Sequence, residues 1–203
     1  MDYYLSCLPR HLLFSYGILG GQFLRAYVEK HNSPPVHNLL TFGSQHMGVS
    51  DIPTCRPGDL FCLLARSAAR RGVYSSYAQK NLVQAQYFRD PARLDVYLQT
   101  NSFLTGINGE VAETRNVTYR KNFESIENFV MILFASDKTV VPKESSWFGS
   151  YAPPAEDGLE EQIVLPMRQQ PLYLEDWIGL RKVGTFTAHL HPPSCPDSSY
   201  PLA

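Results

Sequence analysis

The stretch "FVMILFASDKTVVP", Phe129–Pro142, decides how this chain is read. The apolar run Phe129–Ala135 has the length of a strand. An unbroken apolar run is what a parallel strand covered on both faces requires. The chain turns polar immediately afterwards, with Asp137 second in the turn "SDKT". An acid just past the carboxyl end of a strand can orient a histidine and stabilise its imidazolium during acyl transfer. It can equally cap the turn it stands in, a frequent duty of aspartate. Both readings stand on local sequence.

The segments around this strand set its context. "VHNLLTFG" is a second short apolar run, followed by the loop "SQHMGVSDIPTCRPGD". Ahead of it, Gly21–Lys30 has helical periodicity, with Phe23, Leu24, Tyr27 and Val28 as the apolar stripe. The prolines of "NSPP" end that helix. From Leu60 to about Asp90, and on through short segments to Lys121, the pattern is helical, which gives a helical insertion at about 56–125. "EEQIVLPM" reads as a weaker strand and "LYLEDWIGLRKV" as a short helix. The tail, 184–203, is rich in Pro and Ser and shows no clear strand. The fold class is α/β: one domain, 1–203, with an open, mostly parallel sheet. In such sheets sites gather where loops leave the carboxyl ends of strands. That places the Gly43–Val49 and Ser136–Pro142 loops on one rim.

Composition excludes several functions. Lys plus Arg (18) nearly cancels Asp plus Glu (19), and the basic residues are scattered, so no nucleic-acid partner is expected. No apolar run approaches about 20 residues, so no membrane span is expected. "HLLFSYGILGG" imitates a signal-peptide core but lacks a small-x-small cleavage site, so no signal peptide is expected. Cys55 and Cys62 enclose "RPGDLF", a loop that fits a local disulfide in an oxidising compartment or two reduced buried thiols otherwise. "NVT" at Asn116–Thr118 fits the glycosylation tripeptide. Together these features tilt toward a secretory or lysosomal setting. His189 and His191 lack an accompanying carboxylate or cysteine cluster, and no metal or cofactor is expected.

A nucleophile is harder to find. "LFSYG" satisfies part of the G-x-S-x-G elbow around Ser15, with Gly17 in the last position but Leu13 where the first glycine belongs. The elbow is a strained strand-to-helix turn that crowds its neighbours, so a leucine there is a steric objection. The other reading is a buried serine in an apolar segment. Among six histidines, His189 falls after Asp137, matching the order Ser…Asp…His that α/β-hydrolases use.

The strings "GGQFLRAYVE", "PPVHNLLTFGSQHMGV", "CRPGDLFC", "KNLVQAQYFRDPARLDVYLQTNSFLTGINGE" and "SDKTVVPKESSWFG" together resemble the palmitoyl-protein thioesterase family, from about Gly20 to Lys182. The resemblance implies an α/β-hydrolase fold with a helical insertion lining an acyl groove. It implies removal of long-chain fatty acyl groups, chiefly palmitate, from S-acylated cysteine of proteins during lysosomal turnover. Asp137 matches the triad aspartate, Asn116 a glycosylated position, and Cys55 with Cys62 a small disulfide loop. The family pattern G-F-S-Q-G-G-Q-F-L-R-A puts its serine at Ile18 and its glutamine at Leu19; an insertion of three residues brings Ser15 into the serine's place. The family's first strands and oxyanion loop have no counterpart, and the tail lacks the G-x-H context of the triad histidine. The expectation is a chain truncated or rewritten at both ends, with Ser15, Asp137 and His189 as the catalytic candidates and little or no thioesterase activity. The alternative is an inactive fragment or acyl-binding remnant.

Overall fold

The computed structural model describes residues 12–15, 18–51, 71–154 and 162–190, with Ser15 and His189 placed by their backbone. Four parallel strands form the main sheet in the order β1 (Leu12–Ser15), β2 (Asn38–Phe42), β3 (Asn128–Phe134), β6 (Gly184–Leu190). The run that opens the reading is therefore an interior strand. Its residues alternate between buried and half-buried, so neither face of β3 is left to solvent. β4 (Ser150–Tyr151) and β5 (Val164–Leu165) pair antiparallel, apart from this sheet. "EEQIVLPM" thus contributes a two-residue ribbon, not a strand of the main sheet.

Helix α1 (Ile18–Lys30) follows β1 after only two residues and packs on β2. Between β2 and β3 runs a series of helices that includes α2 (Ser76–Asn81), α3 (Val83–Gln86), α4 (Leu94–Thr100), α5 (Phe103–Asn108) and α6 (Val117–Glu124). α7 (Pro171–Leu174) is the only helical part of "LYLEDWIGLRKV" beyond a 3-10 turn upstream. One core, built from Val28, Leu39, Phe123, Phe129, Met131 and Phe148, lies under α1 and α6. A second, from Tyr74, Phe88, Tyr97, Leu104 and Ile107, holds the insertion together and takes Ala26 of α1.

The pattern of α1 differs from its apolar stripe. Phe23 is 68% exposed, while Gln22, Arg25 and Glu29 are buried. Polar side chains can occupy that face because the neighbouring loop and insertion supply partners, described below. Two strands were not visible as such in the sequence. β1 is the segment "LLFS", and β6 is "GTFTAHL", inside the tail that looked irregular. Thr185, Phe186 and Thr187 are good strand formers, masked there by the Pro- and Ser-rich residues beyond them.

Candidate active site

Because all four strands run parallel and in register, their carboxyl ends meet on one rim. Ser15 is the last residue of β1, beside Thr41. Asp137 stands three residues beyond the end of β3, and its N–H donates to the Phe134 carbonyl at 3.0 Å. His189 is the next-to-last residue of β6, beside Leu133. The rim therefore carries Ser15, Asp137 and His189 in chain order, on β1, β3 and β6. The spacing matters. β1 and β6 are three strands apart, roughly 14 Å at about 4.8 Å per strand. A base serving both Ser15 and Asp137 has to act from the carboxyl end of β6, where His189 stands.

Asp137 caps its own turn, one of the two readings that its sequence allowed. Its Oδ1 accepts from the Thr139 and Val140 N–H groups at 2.7 and 3.1 Å, fixing the turn. Its Oδ2 faces Gly43, 3.5 Å from where a Cβ there would stand. Gly43 has φ +57°, the left-handed region, and a side chain at this position would also meet the Phe134 ring at 2.7 Å. A glycine thus turns the β2 loop sharply beside the acid. The two rim loops are tied together: His46 and Ser50 N–H groups donate to the Ser145 and Val141 carbonyls at 3.0 and 2.7 Å.

Helix α1 begins at Ile18, with its amino end at the same rim. It lies unusually close to the sheet: a Cβ on Gly21 would come within 2.8 Å of Ser44 Cβ and 2.9 Å of Thr41 Cγ2. Behind Gly21, Gln22 Nε2 donates to the Gln45 carbonyl at 2.9 Å. Arg25, fully buried, donates to Glu29 at 3.1 Å, to the His46 carbonyl at 3.3 Å and to Asn108 Oδ1 at 2.7 Å, and lies over the Phe148 ring. Asn108 returns a hydrogen bond to the same His46 carbonyl at 3.1 Å. Glu110 continues the chain inward, accepting from Asn108, Tyr97 and Arg89. α1, the rim loop and the insertion are thereby held by one buried polar network. Burial pushes the Glu29 carboxyl up to about 8, against the pull of Arg25, and drives Arg25 downward.

The histidines sort by position. His46 is buried, stacks on Phe148, meets the edge of Phe129, and shares a hydrogen bond with Thr41 Oγ1 at 3.0 Å. Burial, then the nearby Arg25, hold its imidazole well below its usual range, so it is a neutral structural residue. His37 pairs with Glu127 at 3.3 Å at the amino end of β2, and His31 follows α1, both away from the rim. His11 and His191, and the pair Cys55–Cys62, lie outside the described residues. Among the described residues no group of three metal-ligating side chains converges.

The large apolar side chains of the insertion, where the resemblance implies an acyl groove, differ in setting. Of Leu82, Val83, Tyr87, Phe88 and Phe103, Leu82 and Val83 are exposed and Phe88 is packed in the second core. Phe103 lines an open cleft of about 780 Å³, with Leu98, Ile107, Val111, Tyr119 and Lys30. Lys30 closes the far end of α1, about 18 Å along its axis from Ile18, and none of Ser15, Asp137 and His189 lines this cleft.

Parallel strands with helices on the sheet, and a serine, an acid and a histidine brought to one rim in that order, define an α/β-hydrolase. The palmitoyl protein thioesterase family model matches residues 15–193. The chain is 42% identical over 164 residues to palmitoyl-protein thioesterase 1 of Caenorhabditis elegans, covering 81% of this chain and 53% of that protein. It is 36% identical to palmitoyl-protein thioesterase 3 of Dictyostelium discoideum (83% and 53% covered) and 33% identical to lysosomal thioesterase PPT2 of Mus musculus (84% and 53%). The chain belongs to the palmitoyl-protein thioesterase family. It spans about half the length of these relatives. Sequence reasoning found Asp137 and the rim loops, and missed Arg25, Glu29 and Asn108. The i,i+4 pair Arg25–Glu29 was visible, but such pairs usually mark a solvated face.

Proposed function

We propose that the rim is an acyl-thioester hydrolase site that removes long-chain fatty acyl groups from S-acylated cysteine of proteins. In this reading Ser15 Oγ attacks the thioester carbonyl while a histidine at the carboxyl end of β6, His189, takes its proton. Asp137 Oδ2 orients that imidazole and stabilises its charge. The tetrahedral oxyanion collapses, the cysteine thiolate leaves with the proton returned by histidine, and water hydrolyses the acyl-serine by the same relay. The amino end of α1 adds unpaired N–H groups and a positive dipole where the oxyanion develops. The observation that carries the reading is Asp137: one oxygen is spent on its turn and the other faces the neighbouring loop across Gly43. The segment about 56–125 is proposed as an insertion within a single domain. The relatives named lysosomal thioesterase, the sequon at Asn116 and the Cys55–Cys62 spacing support a lysosomal or secretory setting. Asn116 is exposed and its Oδ1 caps α6 from the Thr118 and Tyr119 N–H groups.

A second reading, acyl binding without turnover, is favoured by one observation: Ile18 opens α1, where the family pattern has its serine. Thiol release from a palmitoyl-cysteine model substrate separates the two. The expected rate is at least about a thousandfold below that of a complete triad, and Ser15→Ala abolishes it. Release that Ser15→Ala leaves unchanged would assign the rim to binding alone.

A further inference from the structure

We propose that the corner between α2 and α3 is a docking surface for an anionic phospholipid bilayer. Three large apolar side chains stand in solvent within seven residues: Tyr77 at 72%, Leu82 at 47% and Val83 at 58% exposure. The corner is firmly built. Ala78 and Ala85 are buried beneath it. Gln79 Nε2 donates to the Val73 and Ala85 carbonyls at 2.8 and 2.9 Å, and Gln86 Nε2 donates to the Gln79 carbonyl at 2.9 Å. Leu82 itself is extended, φ −116° and ψ 111°, so the chain breaks between two short helices at the residue it exposes. A fixed backbone that presents apolar side chains outward favours a ligand over a poorly packed end.

Charge chooses the ligand. Lys80 lies one helical turn from Tyr77 and is exposed. Residues 71–86 contain no Asp or Glu, and neither does the longer run 60–89, in a chain whose net charge is −1. Apolar side chains beside cations match the boundary between anionic headgroups and acyl chains, where such surfaces sink by about 5–10 Å. Each basic residue near an anionic leaflet strengthens attachment by about fivefold. No described helix is long and apolar enough to cross a membrane, so the attachment is peripheral. The surface includes none of Ser15, Asp137 and His189 and stands whether or not the rim hydrolyses thioesters.

The test is flotation of the purified chain with vesicles of phosphatidylcholine alone and of phosphatidylcholine mixed with phosphatidylserine. The chain is expected on the mixed vesicles and not on the neutral ones, with retention falling as salt rises. Lys80→Glu should weaken retention about fivefold, and Leu82→Gln with Val83→Gln by more than tenfold. These positions are exposed, so both variants should keep the wild-type thermal transition. No retention on mixed vesicles, or retention unchanged by both variants, would overturn the proposal. So would self-association of the wild type that Leu82→Gln with Val83→Gln abolishes, which would assign the corner to a second copy of the chain.

Discussion

At Asp137 one carboxylate holds its own turn through Oδ1 and faces Gly43 through Oδ2. The two duties separate in one substitution. Asp137→Asn keeps an oxygen that can accept from Thr139 and Val140, so stability should stay within about 0.5 kcal/mol. In the proposed triad the charge that would stabilise an imidazolium is lost, and the remaining thiol release should fall to the level of Ser15→Ala. Denaturant unfolding and thiol release check the two halves. Gly21 makes a different demand. Its Cβ would meet Ser44 and Thr41 atoms below 3.0 Å, so Gly21→Ala should destabilise by about 1–3 kcal/mol. Removing the obstructing side chain with Ser44→Gly should recover part of that loss, measured as a coupling in a double-mutant cycle. Asp137 was legible because an acid after an apolar run is a pattern. The partners of Arg25 were not, since Asn108 lies 83 positions away in sequence and only the folded chain brings it there.

At the scale of the element, α1 shows how far a polar face can be buried. Its exposed Phe23 and its buried Gln22, Arg25 and Glu29 invert ordinary amphipathic expectation, which assumes water on one side and hydrocarbon on the other. Here the covering surface is loop backbone with carbonyls to offer. The strands were read unevenly for a related reason. β3 announces itself by apolarity, whereas β6 is half threonine, alanine and histidine and becomes a strand by pairing with β3 over its whole length. The buried face also sets a pH dependence. Folded Glu29 holds a proton up to about 8, while unfolded it releases it near 4.5, so its contribution is full below 4.5 and is lost as pH rises through 8. His46 has the opposite sign: its pKa is depressed from 6.5, so its contribution is present above 6.5 and lost as pH falls. Stability should therefore rise as pH is lowered from about 8 to 6.5, by up to about 1.4 kcal/mol per unit. It should level off below 6.5, where the two oppose. In Glu29→Gln the rise should vanish and the decline below 6.5 should remain. Urea unfolding across this range would show either curve.

At the largest scale the described residues form two cores joined through a polar seam. The sheet core carries the rim, the insertion core carries α2 to α5, and Arg25, Asn108 and Glu110 run between them. The seam ends on the His46 carbonyl, in the loop whose Gly43 faces Asp137. The α/β class and the shared rim were legible from two strands and one acid. The location of the cleft was not, because five apolar residues in a helical run do not say which of them pack inward. Ser15, at the end of β1, is the proposed nucleophile that Asp137 would serve. A long-chain fluorophosphonate tests it most directly, since it bonds to an activated serine and to no idle one, and peptide mass analysis locates the adduct. The adduct is expected on Ser15 in the wild-type chain and should form slowly in Asp137→Asn. Ser15 left unmodified, or modified equally fast in both chains, would contradict the proposal.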